Sequence, residues 1–131
     1  MPGLHMRRVE NRVSSGDPDV DGCLLGTYFE LELKGCNRPK LNGKLDYEVR
    51  QAQVVWHRKR WRVGGNCWIY IRVGAGREVK RYLVPGCKAQ LVADGLTEDQ
   101  LAAMSVMPPV HLPQAVLAFV KQAASQRHLF T

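Results

Sequence analysis

Thr27-Tyr-Phe-Glu-Leu-Glu-Leu-Lys34 alternates without a fault, placing Thr27, Phe29, Leu31 and Leu33 on one face and Tyr28, Glu30, Glu32 and Lys34 on the other. A period of two is the signature of a strand with one buried face. Upstream, Asp19-Val-Asp-Gly-Cys-Leu-Leu25 runs into Gly26, and the short Gly26-Thr27 junction predicts an antiparallel hairpin in which Asp19 and Asp21 share a face. Downstream, Gly35 to Lys44 is rich in Gly, Asn, Pro and Lys and reads as a basic loop. Leu45, Val49, Ala52 and Trp56 then recur at helical spacing, with Asp46 as a candidate cap and Gly64-Gly65 as a stop.

The stretch Cys67-Trp-Ile-Tyr-Ile-Arg-Val73 has strong β-propensity, and Gly74-Ala-Gly76 turns it into Val79-Lys-Arg-Tyr-Leu-Val84, the next antiparallel strand. Beyond Pro85 come a capped helix start at Thr97-Glu-Asp-Gln100, a break at Pro108-Pro109 and an apolar helix from Pro113 to Ala124. The order strand, strand, helix, strand, strand, helices predicts an α/β or α+β domain with a small mixed sheet and flanking helices. At 131 residues the chain suits one domain, 1–131, with a core over about 7–84 and a C-terminal helical extension over about 85–131.

Nineteen Lys and Arg against twelve Asp and Glu leave a charge of +7, a field that attracts a polyanion such as nucleic acid. Cys23, Cys36, Cys67 and Cys87 form no C-x-x-C pair, which speaks against structural zinc and for free thiols in a reducing cytoplasm. No apolar run approaches the length of a membrane span, no secretory leader follows Arg7 and Arg8, and no Gly-rich phosphate loop or dinucleotide fingerprint implies a nucleotide cofactor. His5, His57, His111 and His128 are scattered and read as surface residues.

Hydrolysing a phosphodiester at neutral pH calls for converging carboxylates that hold a hard divalent cation. Asp19, opening one strand, and Glu32, on its neighbour, meet that need, and Lys34 projects from the same face two residues on, where an ammonium stabilises developing negative charge. The plain alternative is an exposed Glu32–Lys34 ion pair on a solvated strand face. Ser15-Gly-Asp-Pro-Asp19 forms a tight turn that delivers Asp19, and Gln53 sits on the side of the helix that meets the sheet, where an amide can bond a metal-bound water or a phosphate. Asp21 and Glu30 point toward the same site as alternative ligands.

The order Gly16-x-Pro18-Asp19, Glu32-x-Lys34, then Arg50-x-x-Gln53-x-x-Trp56 resembles the virus-type replication-repair nucleases (VRR-NUC), a branch of the PD-(D/E)XK superfamily, over roughly residues 7 to 73. Arg8-Val-Glu-Asn11 is similar to the Glu-Asn element of small phage-encoded members. The resemblance implies a restriction-endonuclease-like core and a metal held by Asp19 and Glu32, with Glu10 as a further metal or water ligand. It further implies a catalytic Lys34 and a supporting Gln53. It also implies magnesium with manganese as substitute, cleavage of branched or junction DNA, and a homodimer acting in DNA repair. Arg38, Lys40 and Lys44 in the loop and Arg50, Arg58, Lys59, Arg60 and Arg62 on the helix are candidates for phosphate contacts. Two other readings compete: a non-catalytic nucleic-acid-binding module, and a phage-type regulatory protein whose apolar C-terminal helix contacts a host partner.

Overall fold

The computed structural model describes residues 2–9 and 16–130. Its sheet has five strands in the order β1 (Leu4–Arg8), β2 (Val20–Leu24), β3 (Thr27–Cys36), β4 (Cys67–Val73) and β5 (Lys80–Pro85). All neighbours are antiparallel except β3 and β4, which run parallel and are joined through helix α1 (Gln51–Arg62). The expected mixed sheet of an α+β domain is present. β1 is an addition to the sequence reading: Leu-His-Met-Arg-Arg carries no alternation, because an edge strand with four exposed residues has little to hide.

The β2–β3 hairpin closes at Leu25 and Gly26, both at positive φ, the two-residue turn whose twist matches the strands it joins. Leu25 is an unusual residue for φ 48°. The Lys121 ammonium holds this turn by donating to Leu25 O and Thr27 Oγ1.

Helix α1 starts four residues later than a cap at Asp46 would have it. Leu45 does belong to the core, but within an extended stretch whose N–H donates to Leu96 O at 2.8 Å. The chain turns helical only after Arg50, at ψ 153°, where the Gln53 side chain accepts the Arg50 N–H at 2.9 Å. A helix-spaced apolar pattern across a loop–helix boundary misplaced the start; the cap lay inside the helix, not before it.

Both faces of the sheet are covered. On one face α1, α2 (Ala89–Asp94) and α3 (Glu98–Met104) enclose Val54, Ile69, Ile71, Val73, Val84, Val92 and Leu101. On the other, α4 (Pro113–Ala124) packs Val116, Leu117 and Val120 against Phe29, Leu31, Trp68 and Leu83. The apolar stripe of α4 is thus inward-facing, so it does not offer the contact surface that the regulatory reading needs. Trp68, Ile69, Ile71 and Leu83 have no exposed surface, each contributing about 1.5–3 kcal/mol of burial. No helix among the described residues is long and apolar enough to cross a membrane.

Candidate active site

The chemistry-bearing side of β3 faces α1, not solvent. Glu32 is 1% exposed, which removes the reading of Glu32 and Lys34 as a solvated surface pair. Alternation correctly put Glu32 and Lys34 on one face; that this face is roofed by a helix is a tertiary fact that no period of two can carry.

Three side chains meet there. Gln53 Nε2 donates to Glu32 Oε1 at 2.8 Å, Lys34 Nζ lies 3.5 Å from the same oxygen, and Lys34 Nζ donates to Gln53 Oε1 at 3.3 Å. Gln53 is itself buried, at 4% exposure. Its oxygen therefore serves the start of α1 and Lys34 together, while its nitrogen orients the carboxylate.

Asp19 arrives from the opposite strand. Val20 pairs with Leu31, so one step further along this antiparallel register sets Asp19 across from Glu32. Asp19 Oδ2 accepts the Leu33 N–H at 2.9 Å, which fixes the carboxylate at the mouth of the hairpin. The turn that delivers it needs its glycine: Gly16 has φ 151°, and a Cβ there would stand 2.5 Å from Ala52 O in the first turn of α1. Turn, strand and helix are thereby locked at one corner.

Glu32 Oε2 is buried and accepts no hydrogen bond. A bare carboxylate oxygen in that position is costly unless protonated or matched by a cation. Burial, then the nearby Asp19 charge, pushes the Glu32 carboxyl up to about 8 against the opposing pull of Lys34. An oxygen-only pair with an unfilled acceptor suits a hard divalent cation, and Asp19 and Glu32 are the residues that would hold it. Among the described residues no group of three or more His, Cys, Asp and Glu is placed to hold a metal. Glu10, the third acid implied by the family resemblance, lies outside the described residues.

Compared with known proteins, the chain matches no family model and no curated protein. One solved structure similar to it is Archaeoglobus fulgidus Hjc, a Holliday junction resolvase from an archaeal hyperthermophile. The identity is 16%, the TM-score 0.43, and the match covers 76% of this chain and 87% of that one. Identity that low says nothing of what these side chains do.

The alternative ligands stand apart. Asp21 and Glu30 pair across β2 and β3, on the same face as Asp19 and Glu32 but one repeat away. Asp21 takes the Arg7 guanidinium at 2.9 and 3.1 Å, and Glu30 lies 3.2 Å from Arg60 Nε. Burial raises the Glu30 carboxyl, with Arg60 opposing and Asp21 and Asp17 adding to the rise.

The basic residues divide by location. Arg50, Arg58, Lys59 and Arg62 are exposed along α1, and Lys40 and Lys44 are exposed in the loop. Arg38 is different: its guanidinium donates to both Glu98 oxygens, at 2.6 and 3.1 Å, and to the carbonyls of Glu78 and Val73. Arg38 is a tie between loop and α3, with little left to offer a phosphate.

Sequence reasoning also missed His57, expected at the surface. It has no exposed area and neither ring nitrogen is hydrogen-bonded. Its position one turn beyond Gln53 carries it to the same inward face, and burial, with Lys34 adding, lowers its imidazole to about 4. The spacing of four from Gln53 was the available signal.

Proposed function

We propose that this chain is a divalent-metal-dependent endodeoxyribonuclease of the VRR-NUC type that cuts branched DNA. The observation that carries the reading is the buried Glu32 carboxylate, oriented by Gln53 and Lys34, with one oxygen unsatisfied and Asp19 across from it in the hairpin register. Magnesium, with manganese as substitute, would be held by Asp19 and Glu32, with Glu10 as a third ligand; when bound it polarises the phosphate and acidifies water.

The chain's own residues do the rest. Lys34, held between Glu32 and Gln53, places an ammonium beside the scissile phosphate and offsets its gathering negative charge. Gln53 keeps the Glu32 carboxylate in one orientation. Asp19, anchored through the Leu33 N–H, keeps the second carboxylate in register across the hairpin. Arg58, Lys59 and Arg62 on α1, with Lys40 and Lys44, neutralise flanking phosphates, so affinity should fall steeply with salt. The sequence carries no recognisable base-reading motif, which favours recognition of shape over sequence. A homodimer would supply two cuts across a junction.

Cleavage of labelled junction and linear DNA with magnesium, manganese or chelator tests this directly. Metal-dependent cutting lost in Glu32→Ala and Lys34→Ala, with DNA binding kept, is the expected result. Binding without cutting under either metal, unaltered by both substitutions, would leave a basic DNA-binding module instead.

A further inference from the structure

Two clefts open beside the site on the α1 face of the sheet and share Arg7, Asp21, Glu30 and Arg60. The nearer, of about 390 Å³, begins at Pro18, next to Asp19, and is walled by Trp56. The farther, of about 640 Å³, continues past the end of α1 to Tyr28. Together they form one groove leading away from Glu32 along β3, since Tyr28, Glu30 and Glu32 project from the same face of that strand.

The lining has an uncommon distribution. Aromatic rings stand at both ends: Tyr28 is 78% exposed, and the half-buried Trp56 carries the Arg60 guanidinium 4.9 Å from its ring centre. Between them the floor carries both signs of charge: Asp21 stands opposite Glu30, and each carboxylate is bridged to an arginine, Arg7 or Arg60. A duplex presents phosphates outward and hides its base faces, so it leaves the rings of such a groove without stacking partners. An unpaired strand can turn its bases inward, where a base stacks on the exposed Tyr28 ring or beside Trp56 and the paired carboxylates and guanidiniums present acceptors and donors to base edges.

We infer that this groove seats a short unpaired strand of two to three nucleotides, so that the DNA cut at Glu32 carries a single-stranded branch leaving along β3. The inference rests on the nuclease reading for the position of the cut, but the groove itself is testable without cleavage. Tyr28 suits the test because its side chain lies in solvent, so its loss leaves the fold intact.

The measurement is the affinity of the protein in chelator for two labelled DNAs: a blunt duplex, and the same duplex with a single-stranded tail of about six nucleotides. Tyr28→Ala should weaken the tailed DNA by about 5- to 100-fold, the range of one lost base stack, leave the blunt duplex within about 2-fold, and be rescued by Tyr28→Phe. Equal affinity of native protein and Tyr28→Ala for the tailed DNA overturns the groove, even if metal-dependent cutting is observed. Tyr28-dependent tail binding with no cutting under any metal keeps the groove and removes the nuclease.

Discussion

Replacing Glu32 with glutamine should make the metal-free protein more stable while abolishing its activity. Glu32 is 1% exposed, one oxygen has no donor, and burial with the nearby Asp19 charge pushes its carboxyl up from the ordinary 4.5 to about 8. Between these two values the native state holds a proton that the unfolded chain has released, so stability declines as pH rises from about 4.5 to about 8 and then levels off. At pH 7 the gap of about 2.5 units corresponds to about 3 kcal/mol of lost stability. In Glu32→Gln the amide oxygen can keep the bond from Gln53, and the amide nitrogen gives the buried position a donor to turn toward Asp19. Thermal unfolding in chelator should show the variant melting about 5–10 °C above native protein at pH 8, with the difference closing near pH 4. A structural ion pair with Lys34 makes the opposite forecast: a variant less stable at pH 8. That result would refute the reasoning and with it the view of Glu32 as a strained carboxylate.

Gln53→Ala removes both the cap on Arg50 and the donor to Glu32, and should cost about 1–3 kcal/mol in denaturant unfolding together with loss of cleavage. Glu98 is held below its ordinary range first by the Arg38 guanidinium and further by the Tyr82 hydroxyl, against the opposing effect of burial; its stabilisation is present above the unfolded carboxylate value and lost as pH falls through the depressed one. Glu98→Gln should therefore flatten the acid limb of the stability profile seen by circular dichroism. Arg38→Ala should lower stability yet leave the salt dependence of DNA binding unchanged, whereas Arg58→Ala with Lys59→Ala should reduce that slope by about 1–2. Leu25→Asn, at an exposed turn position with φ 48°, should raise stability by about 0.5–1 kcal/mol, measured by urea titration.

What was readable in the sequence follows from which forces are local. The β2–β3 hairpin, the two later strands and α4 are written in alternation, turn residues and amphipathic spacing, and each is found where the pattern puts it. The Asp19-to-Glu32 juxtaposition was also accessible, because antiparallel register follows from hairpin length. The burial of Glu32 was not, because it depends on a helix placed by a loop with no period. Likewise Arg38 reads as one more cation until Glu98, sixty residues on, claims it. β1 escaped because an edge strand with four exposed residues shows no alternation, whereas the inward turn of His57 was legible in its spacing of four from Gln53.

Gln53 has one further consequence. An amide is directional: its oxygen accepts from the Arg50 N–H and the Lys34 ammonium, and its nitrogen donates to Glu32. Rotated by half a turn, it would offer a donor to two donors and an acceptor to a carboxylate, so all three bonds stand or fall together. The polarity of the first peptide of α1 is thereby transmitted through a single side chain to the carboxylate. The loop between β3 and α1 can then change in length without disturbing the site, provided that the helix still begins just after Arg50, for alignment is set at the helix start and not by the path that leads to it.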